Sequence, residues 1–263
     1  MKYLMMLLLF CLAFSTQAND ELHQPWQQLL NEHVKPINHG ASTVVDYAAI
    51  KQQHSELKSY LASLSAITAT QFASWNNLKQ LAFLINAYNA WTVELILTEY
   101  PQVKSIKDLG SFFSSPWSKE FVSLLGETRS LDNIEHTLIR GNNKYREPRI
   151  HFAVNCASIG CPALREEAYT GAKLDAQLEQ QTTRFLADTT RNYAKDNTLY
   201  LSSIFKWYQT DFATDFRGAQ SLSAFTLLYS DALNLTPSQH AKLESNTMKI
   251  KFLDYNWALN DNQ

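Results

Sequence analysis

The chain has 263 residues, 45 % of them hydrophobic and 12 % aromatic, and its 23 Lys and Arg stand against 25 Asp and Glu for a formal net charge of −2. That length can bury a sizeable core, and default reading is one domain. The composition excludes a disordered polar chain and offers no basic face, so nucleic acid is not an expected partner.

The first eighteen residues read as an export leader. Lys2 supplies the positive start, Leu4 to Phe14 the apolar run, and Thr16 and Ala18 the residues at −3 and −1 of a cleavage site. The remainder, 19–263, is then expected in the periplasm or outside the cell. Cys11 sits in the apolar run behind Phe10, where a lipid-attachment signal needs a small residue, so a lipid anchor is not expected. The run is about ten residues, short of the roughly 20 that span a bilayer, and no membrane span is expected. Cleavage leaves only Cys156 and Cys161, in an oxidising compartment where two cysteines can pair.

Apolar residues recur at helical spacing from Glu21 to Asn31 and from Val45 to Leu64, around a turn at Pro36 to Gly40, which makes 19–70 a helical N-terminal part. Trp75 to Tyr100, closed by Pro101, is apolar nearly all round and is expected as a buried central helix. On it Asn86 and Asn89 share one face and must find polar partners, either the backbone of a neighbouring loop or a substrate. Phe121 to Leu125 is a strand before the turn at Gly126. Asp132 and Glu135 have the spacing of a capping box for a short helix ending near Gly141.

Arg149 to Asn155 alternates like a strand, with His151 and Asn155 on one face, and runs into the small-residue turn Cys156 to Pro162. Leu174 to Ala187 reads as a helix and Leu199 to Ser202 as a strand. Ile204 to Phe212 is an aromatic helix or lid-like turn, Leu222 to Leu233 a helix, and Lys249 to Trp257 a terminal strand. The sum is an α+β fold, a helix-rich single domain with a small, mainly antiparallel sheet.

The chemistry concentrates at His136, His151, Cys156 and Cys161. A thiolate nucleophile needs an imidazole to hold it ionised and a third group to orient that imidazole. Cys156 ends a strand at a turn. His151, five residues earlier, would lie roughly 16 Å away on the opposite strand face, at about 3.3 Å per residue. His136, on a separate helix, is the better partner, with Glu135 beside it. The aromatic residues Phe205, Trp207, Tyr208, Tyr255 and Trp257 are expected to wall the same cleft.

These residues carry a family resemblance. Leu81 to Ala90, Leu131 to His136, Pro148 to Ser158, Cys161 to Arg165 and Ile204 to Tyr208 resemble the signature blocks of the family catalogued as domain of unknown function 547, over about Leu81 to Trp257. The resemblance implies a papain-like core with Cys156 as nucleophile, His136 as base and Glu135 as acid. In the family pattern plant-type relatives carry serine at the second cysteine, which places a shared role on Cys156. The order here, His before Cys, reverses that of papain.

Two readings of function follow. The first is a cysteine-dependent hydrolase or acyltransferase of the cell envelope acting on a peptide or amide bond, with Asn86, Asn89, His151, Asn155, Trp207 and Tyr208 supporting the site or binding substrate. The second is a non-enzymatic periplasmic binding module stapled by a Cys156–Cys161 disulfide. A free thiol favours the first and a closed disulfide the second. A zinc site from His136, His151, Cys156 and Cys161 ranks third, because the spacing matches no common finger. No cofactor and no metal are expected.

Overall fold

The computed structural model describes residues 21–111 and 114–262, so the expected leader lies outside the described residues. The helix through residues 21–33 (α1) buries Trp26, which stacks on Tyr60 with ring centroids 5.8 Å apart. An antiparallel hairpin follows, β1 (Val34–Ile37) with β2 (Ser42–Val45). Its turn, Asn38-His39-Gly40, has all three residues at positive φ. The expected single helix from Val45 to Leu64 is therefore corrected. The β-branched run Thr43-Val44-Val45 prefers a strand, Asp46 caps α2 (Tyr47–Gln52) by accepting from the Ala49 N–H at 2.9 Å, and a break at Gln53 separates it from α3 (His54–Ser65).

After α4 (Ala69–Ala73), the helix α5 (Asn77–Leu97) runs through the core with every residue from Gln80 to Ala90 buried. Asn76 caps it by accepting from the Lys79 N–H. The strand expected at Phe121 to Leu125 is β3 (Val122–Leu124), paired with β4 (Glu127–Arg129) around Leu125 and Gly126, both at positive φ, as a tight two-residue hairpin turn requires.

Two local readings change. Residues Asn133–Ile139 form a π-helix, and Asp132 has helical dihedrals with no capping bond; Ser130 Oγ accepts from the Asn133 N–H instead. The capping box is thus absent, which frees Glu135 for another role. Arg149 to Asn155 is no strand either: Pro148–Phe152 is a 3-10 helix with proline at its start, capped by the Glu147 side chain accepting from the Arg149 N–H. Its alternating pattern came from a segment buried on every side, where Ile150, His151 and Phe152 all point into protein.

The C-terminal part holds α6 (Leu174–Leu186), a three-stranded sheet of β5 (Tyr193–Lys195), β6 (Thr198–Leu201) and β7 (Lys249–Phe252), and the short helices α7 (Ile204–Trp207), α8 (Leu222–Leu227) and α9 (Pro237–Glu244). β5 pairs antiparallel with β6, and β6 parallel with β7. The strands are thus spread over three small sheets, in a helix-rich α+β fold. No helix among the described residues is long and apolar enough to cross a membrane.

Two apolar clusters form the interior. One surrounds α5 and includes Ile150; the other is a stack of Phe152, Phe185, Phe205, Phe212 and Phe225, with neighbouring centroids such as Phe205 and Phe212 4.8 Å apart. Each buried phenylalanine contributes about 1.5–3 kcal/mol. Ile150 is anchored in one cluster and Phe152 in the other. His151 is thereby fixed where the two meet.

Candidate functional site

The approach to Cys156 is built from buried amides. Asn89 donates to the Ala153 carbonyl at 3.0 Å and accepts from the Asn155 N–H at 2.8 Å. Asn86 makes the same double bond to Tyr169, donating to its carbonyl and accepting from its N–H. Both brace loops from α5 and neither lines the cleft described below. Asn155 closes the next turn, donating to the Pro162 carbonyl and accepting from the Ala157 N–H, so its role too is to hold the backbone.

That turn carries a Cys156–Cys161 disulfide with Cα atoms 6.1 Å apart. Cys156 is half-buried, whereas Cys161 is 2 % exposed. The Cys161 sulfur accepts from the Cys156 N–H at 2.9 Å, the Tyr255 hydroxyl lies 3.1 Å from the Cys156 sulfur and 3.3 Å from that of Cys161, and Ser158 donates to the Tyr255 oxygen at 3.0 Å. Backbone bonds from Ile159 and Gly160 to Ala258 and Asn256 tie the turn to the chain's last segment. Gly160 lies against the Tyr255 ring so closely that a Cβ there would stand 2.8 Å from three ring carbons.

The turn floors a cleft of about 210 Å³ walled by Tyr88, Trp117, Trp207, Tyr208, Tyr255 and Trp257. Tyr255 and Trp257 are 4.4 Å apart between centroids, and Trp207, 46 % exposed, stands at the rim. Of the expected aromatic wall only Phe205 is misplaced: it is wholly buried in the phenylalanine stack. Asp132, Glu135, His136 and His151 line the same cleft.

The π-helix delivers His136 and Glu135, its signature being the Arg140 N–H bonded to the Glu135 carbonyl five residues back. His136 Nδ1 meets Arg140 Nη1 at 2.7 Å, and its Nε2 lies 3.7 Å from Asp132 Oδ1. No hydrogen bond joins His136 to Cys156. Glu135 is 6 % exposed, and its Oε1 is buried with no hydrogen-bond partner, 3.9 Å from His136 Nδ1. Burial raises the phenols of Tyr88 and Tyr208, and the neighbouring Glu135 charge raises them further. Burial also raises the Asp132 carboxyl, with His136 opposing and Glu135 reinforcing.

His151, set aside above as the base for Cys156 on strand parity but kept among the residues supporting the site, lines the cleft, because a 3-10 turn does not alternate faces. It stacks on Tyr208 at 3.9 Å and its Nε2 meets Asp211 Oδ2 at 2.8 Å. Burial lowers its pKa, with the Asp211 bond opposing. Burial alone would raise the Asp211 carboxyl, but hydrogen bonds from His151 and from Arg140, at 2.6 and 3.1 Å, outweigh it and hold the group well below the usual carboxylate range. A neutral His151 therefore donates from Nε2, leaving Nδ1, buried and unpartnered, as an acceptor. Among the described residues no three His, Cys, Asp or Glu side chains are grouped to hold a metal ion.

Residues 72–186 match the family described as protein of unknown function, DUF547. The match spans less than half of the chain. No curated protein and no solved structure matches the chain. The DUF547 segment supplies every ionisable side chain and both sulfurs that line the cleft floor, apart from the Tyr208 and Tyr255 phenols, whereas the aromatic wall of Trp207, Tyr208, Tyr255 and Trp257 comes from beyond it. Sequence reasoning missed Tyr88, Trp117, Arg140, Ser158 and Asp211. Tyr88 lies between two amides already singled out on α5, Ser158 two residues past Cys156 in the same turn and Arg140 four residues past His136; Trp117 and Asp211 reach the site through tertiary contacts that leave no local pattern.

Proposed function

We propose that the DUF547 segment and its aromatic wall form a binding module of the cell envelope, whose cleft takes a peptide or amide ligand through a positively charged side chain. Glu135 carries this reading: a carboxylate oxygen buried without a hydrogen-bond partner, lining a cleft walled by aromatic rings. A buried polar atom left unpaired costs about 1–3 kcal/mol, more for a charged group, and an incoming ammonium removes that cost. Ring faces attract cations. Two of these rings already hold one, Lys107 Nζ being 3.8 Å from the Trp257 centroid and the Arg140 guanidinium 4.9 Å from that of Tyr208. The disulfide supports a binding role, since a sulfur spent in a bond is no nucleophile. The envelope location rests on the leader read in residues 1–18.

The test is a tryptophan-fluorescence titration of oxidised protein with N-acetyl-lysyl amide and with N-acetyl-norleucyl amide, which keeps the stem and lacks the charge. The lysyl ligand is expected to bind at least about tenfold tighter, a preference worth about 1.4 kcal/mol, and Glu135→Gln to remove that preference. Equal binding of the two, or no saturable binding of either, rejects the reading.

The second reading, a cysteine hydrolase or acyltransferase, is favoured by the convergence of Cys156, His136, Glu135 and His151 on one cleft. It requires a reduced Cys156, and its test is hydrolysis of amide substrates in the presence of reductant and its loss in Cys156→Ser.

A further inference from the structure

The two sulfurs of the cleft floor share the Tyr255 and Ser158 hydroxyls but differ in exposure and in one backbone donor. Both cysteines line the cleft, but Cys156 is half-buried where Cys161 is enclosed, so the Cys156 sulfur is the one an incoming thiolate reaches. Cys161 is 2 % exposed, and its sulfur accepts the Cys156 N–H at 2.9 Å; the Tyr255 hydroxyl, itself receiving the Ser158 proton at 3.0 Å, lies within reach of both sulfurs, 3.1 Å from that of Cys156 and 3.3 Å from that of Cys161. A structural disulfide has no need of hydrogen-bond donors, because its sulfurs carry no charge and are weak acceptors. A departing thiolate does. Exchange is faster when the leaving sulfur is the more stable anion.

We propose that Cys156–Cys161 is a redox-active disulfide that oxidises a dithiol on a protein or peptide entering the cleft, with Cys156 the attacked sulfur and Cys161 the leaving one. In the first step the partner's thiolate bonds to Cys156 Sγ, the Cys156–Cys161 bond breaks, and its electron pair leaves on Cys161 Sγ, which the Cys156 N–H and Tyr255 hydroxyl hold. In the second step the partner's other thiolate attacks the partner sulfur of the mixed disulfide, and the electron pair leaves on Cys156. The partner ends as a disulfide, having lost two protons and two electrons; Cys156 and Cys161 end as thiols, having gained them.

Burial pushes the Tyr255 phenol up, so the hydroxyl keeps the proton it offers across the physiological range. The charged groups near this hydroxyl are Arg191, whose guanidinium donates to the Cys161 carbonyl, and Glu135, acting in the opposite sense. The inference goes beyond ligand binding and does not depend on the Glu135 preference, which is measured on oxidised protein without thiols.

The experiment incubates the full chain, oxidised and folded, with a short reduced peptide bearing two cysteines, and follows both partners by mass after acid quench. One peptide disulfide is expected for each Cys156–Cys161 bond reduced. In Cys161→Ser, pre-oxidised with glutathione, the adduct is expected on Cys156; in Cys156→Ser, the buried Cys161 is expected to take none. Tyr255→Phe should slow exchange by about tenfold, the effect of one unit in the leaving group's acidity if carried fully into the rate. Should these variants fail to fold, the reduced parent decides: mapped alkylation against pH should show Cys161 ionising below the ordinary thiol value of about 8.5. A disulfide that resists the peptide until the protein unfolds, an adduct on Cys161, or a Cys161 that ionises at or above that value overturns the proposal.

Discussion

Asn89 holds Asn155 in place from the middle of the most buried helix of the protein, accepting its N–H at 2.8 Å while donating to the Ala153 carbonyl two residues earlier. The residue before Cys156 is thus positioned by a side chain more than sixty residues away in sequence. Replacing Asn89 or Asn86 with alanine leaves a buried N–H and a buried carbonyl unpaired, and each change should cost about 1–3 kcal/mol. Thermal and denaturant unfolding check this. The aspartate variants, which keep the acceptor and lose the donor, should also be destabilised.

Acid should weaken the fold from about pH 6.5 downward. His23, buried with its Nε2 unpartnered and its Nδ1 bonded to Tyr60, is lowered to about 3 by burial and by the charge of Lys79, and His151 is lowered by burial. With both folded values depressed, the unfolded chain takes up protons near the ordinary histidine value of about 6.5 while the folded chain does not, so stability falls with pH below that point. Asp211 adds a second loss at lower pH, since its depressed carboxyl stabilises the fold above the ordinary carboxylate value and that contribution disappears as pH falls through the folded one. Melting temperature measured from pH 7.5 to 4 should decline, and the decline should be shallower in His23→Gln.

Arg149 is a buried hub. Its guanidinium, 4 % exposed, pairs with Glu147 at 2.7 Å, Asp175 at 2.6 Å and Glu179 at 2.8 Å, and burial, which would lower its pKa, is outweighed by those three acids. Of the three acids only Glu147 is mostly buried, Asp175 being exposed and Glu179 also paired with Arg217, so Arg149→Met should destabilise by about 1–3 kcal/mol in urea unfolding, and Arg149→Lys should not restore it, because one ammonium cannot reproduce the fork that meets three carboxylates. Retention of parental stability by Arg149→Met would mean that the ion pairs contribute nothing net.

Gly160→Ala should disturb the cleft through Tyr255. A Cβ at this position meets the Tyr255 ring at 2.8 Å, so the ring must shift and its stacking with Trp257 with it. The expected cost is about 1–3 kcal/mol for overpacking, with an altered tryptophan emission spectrum. An unchanged spectrum and melting temperature would show that the ring yields freely.

The sequence by itself determined the elements whose residues repeat a simple period over a long enough stretch. α5 and α6, the β3–β4 hairpin and the strand at Leu199 were legible because burial on one face, or on all, imposes that period. Asn86 and Asn89 were recognisable as loop anchors on the same ground: two amides on an apolar helix must be paired. The family blocks marked which residues belong together around Cys156. What the period could not distinguish was a half-buried strand from a segment enclosed on every side, and so Arg149 to Asn155 was read as a strand and His151 was turned away from Cys156. Only the tertiary structure placed it, by fixing Ile150 in one apolar cluster and Phe152 in the other. Only tertiary contacts, likewise, set Asp211 against His151 and Tyr255 against Cys161, sixty and ninety-four residues apart, because hydrogen bonds between distant segments depend on how the clusters dock and leave no trace in local sequence. Glu135 shows the division most clearly: its spacing from Asp132 fitted a helix cap, while the π-turn that sends it into the cleft is a product of packing.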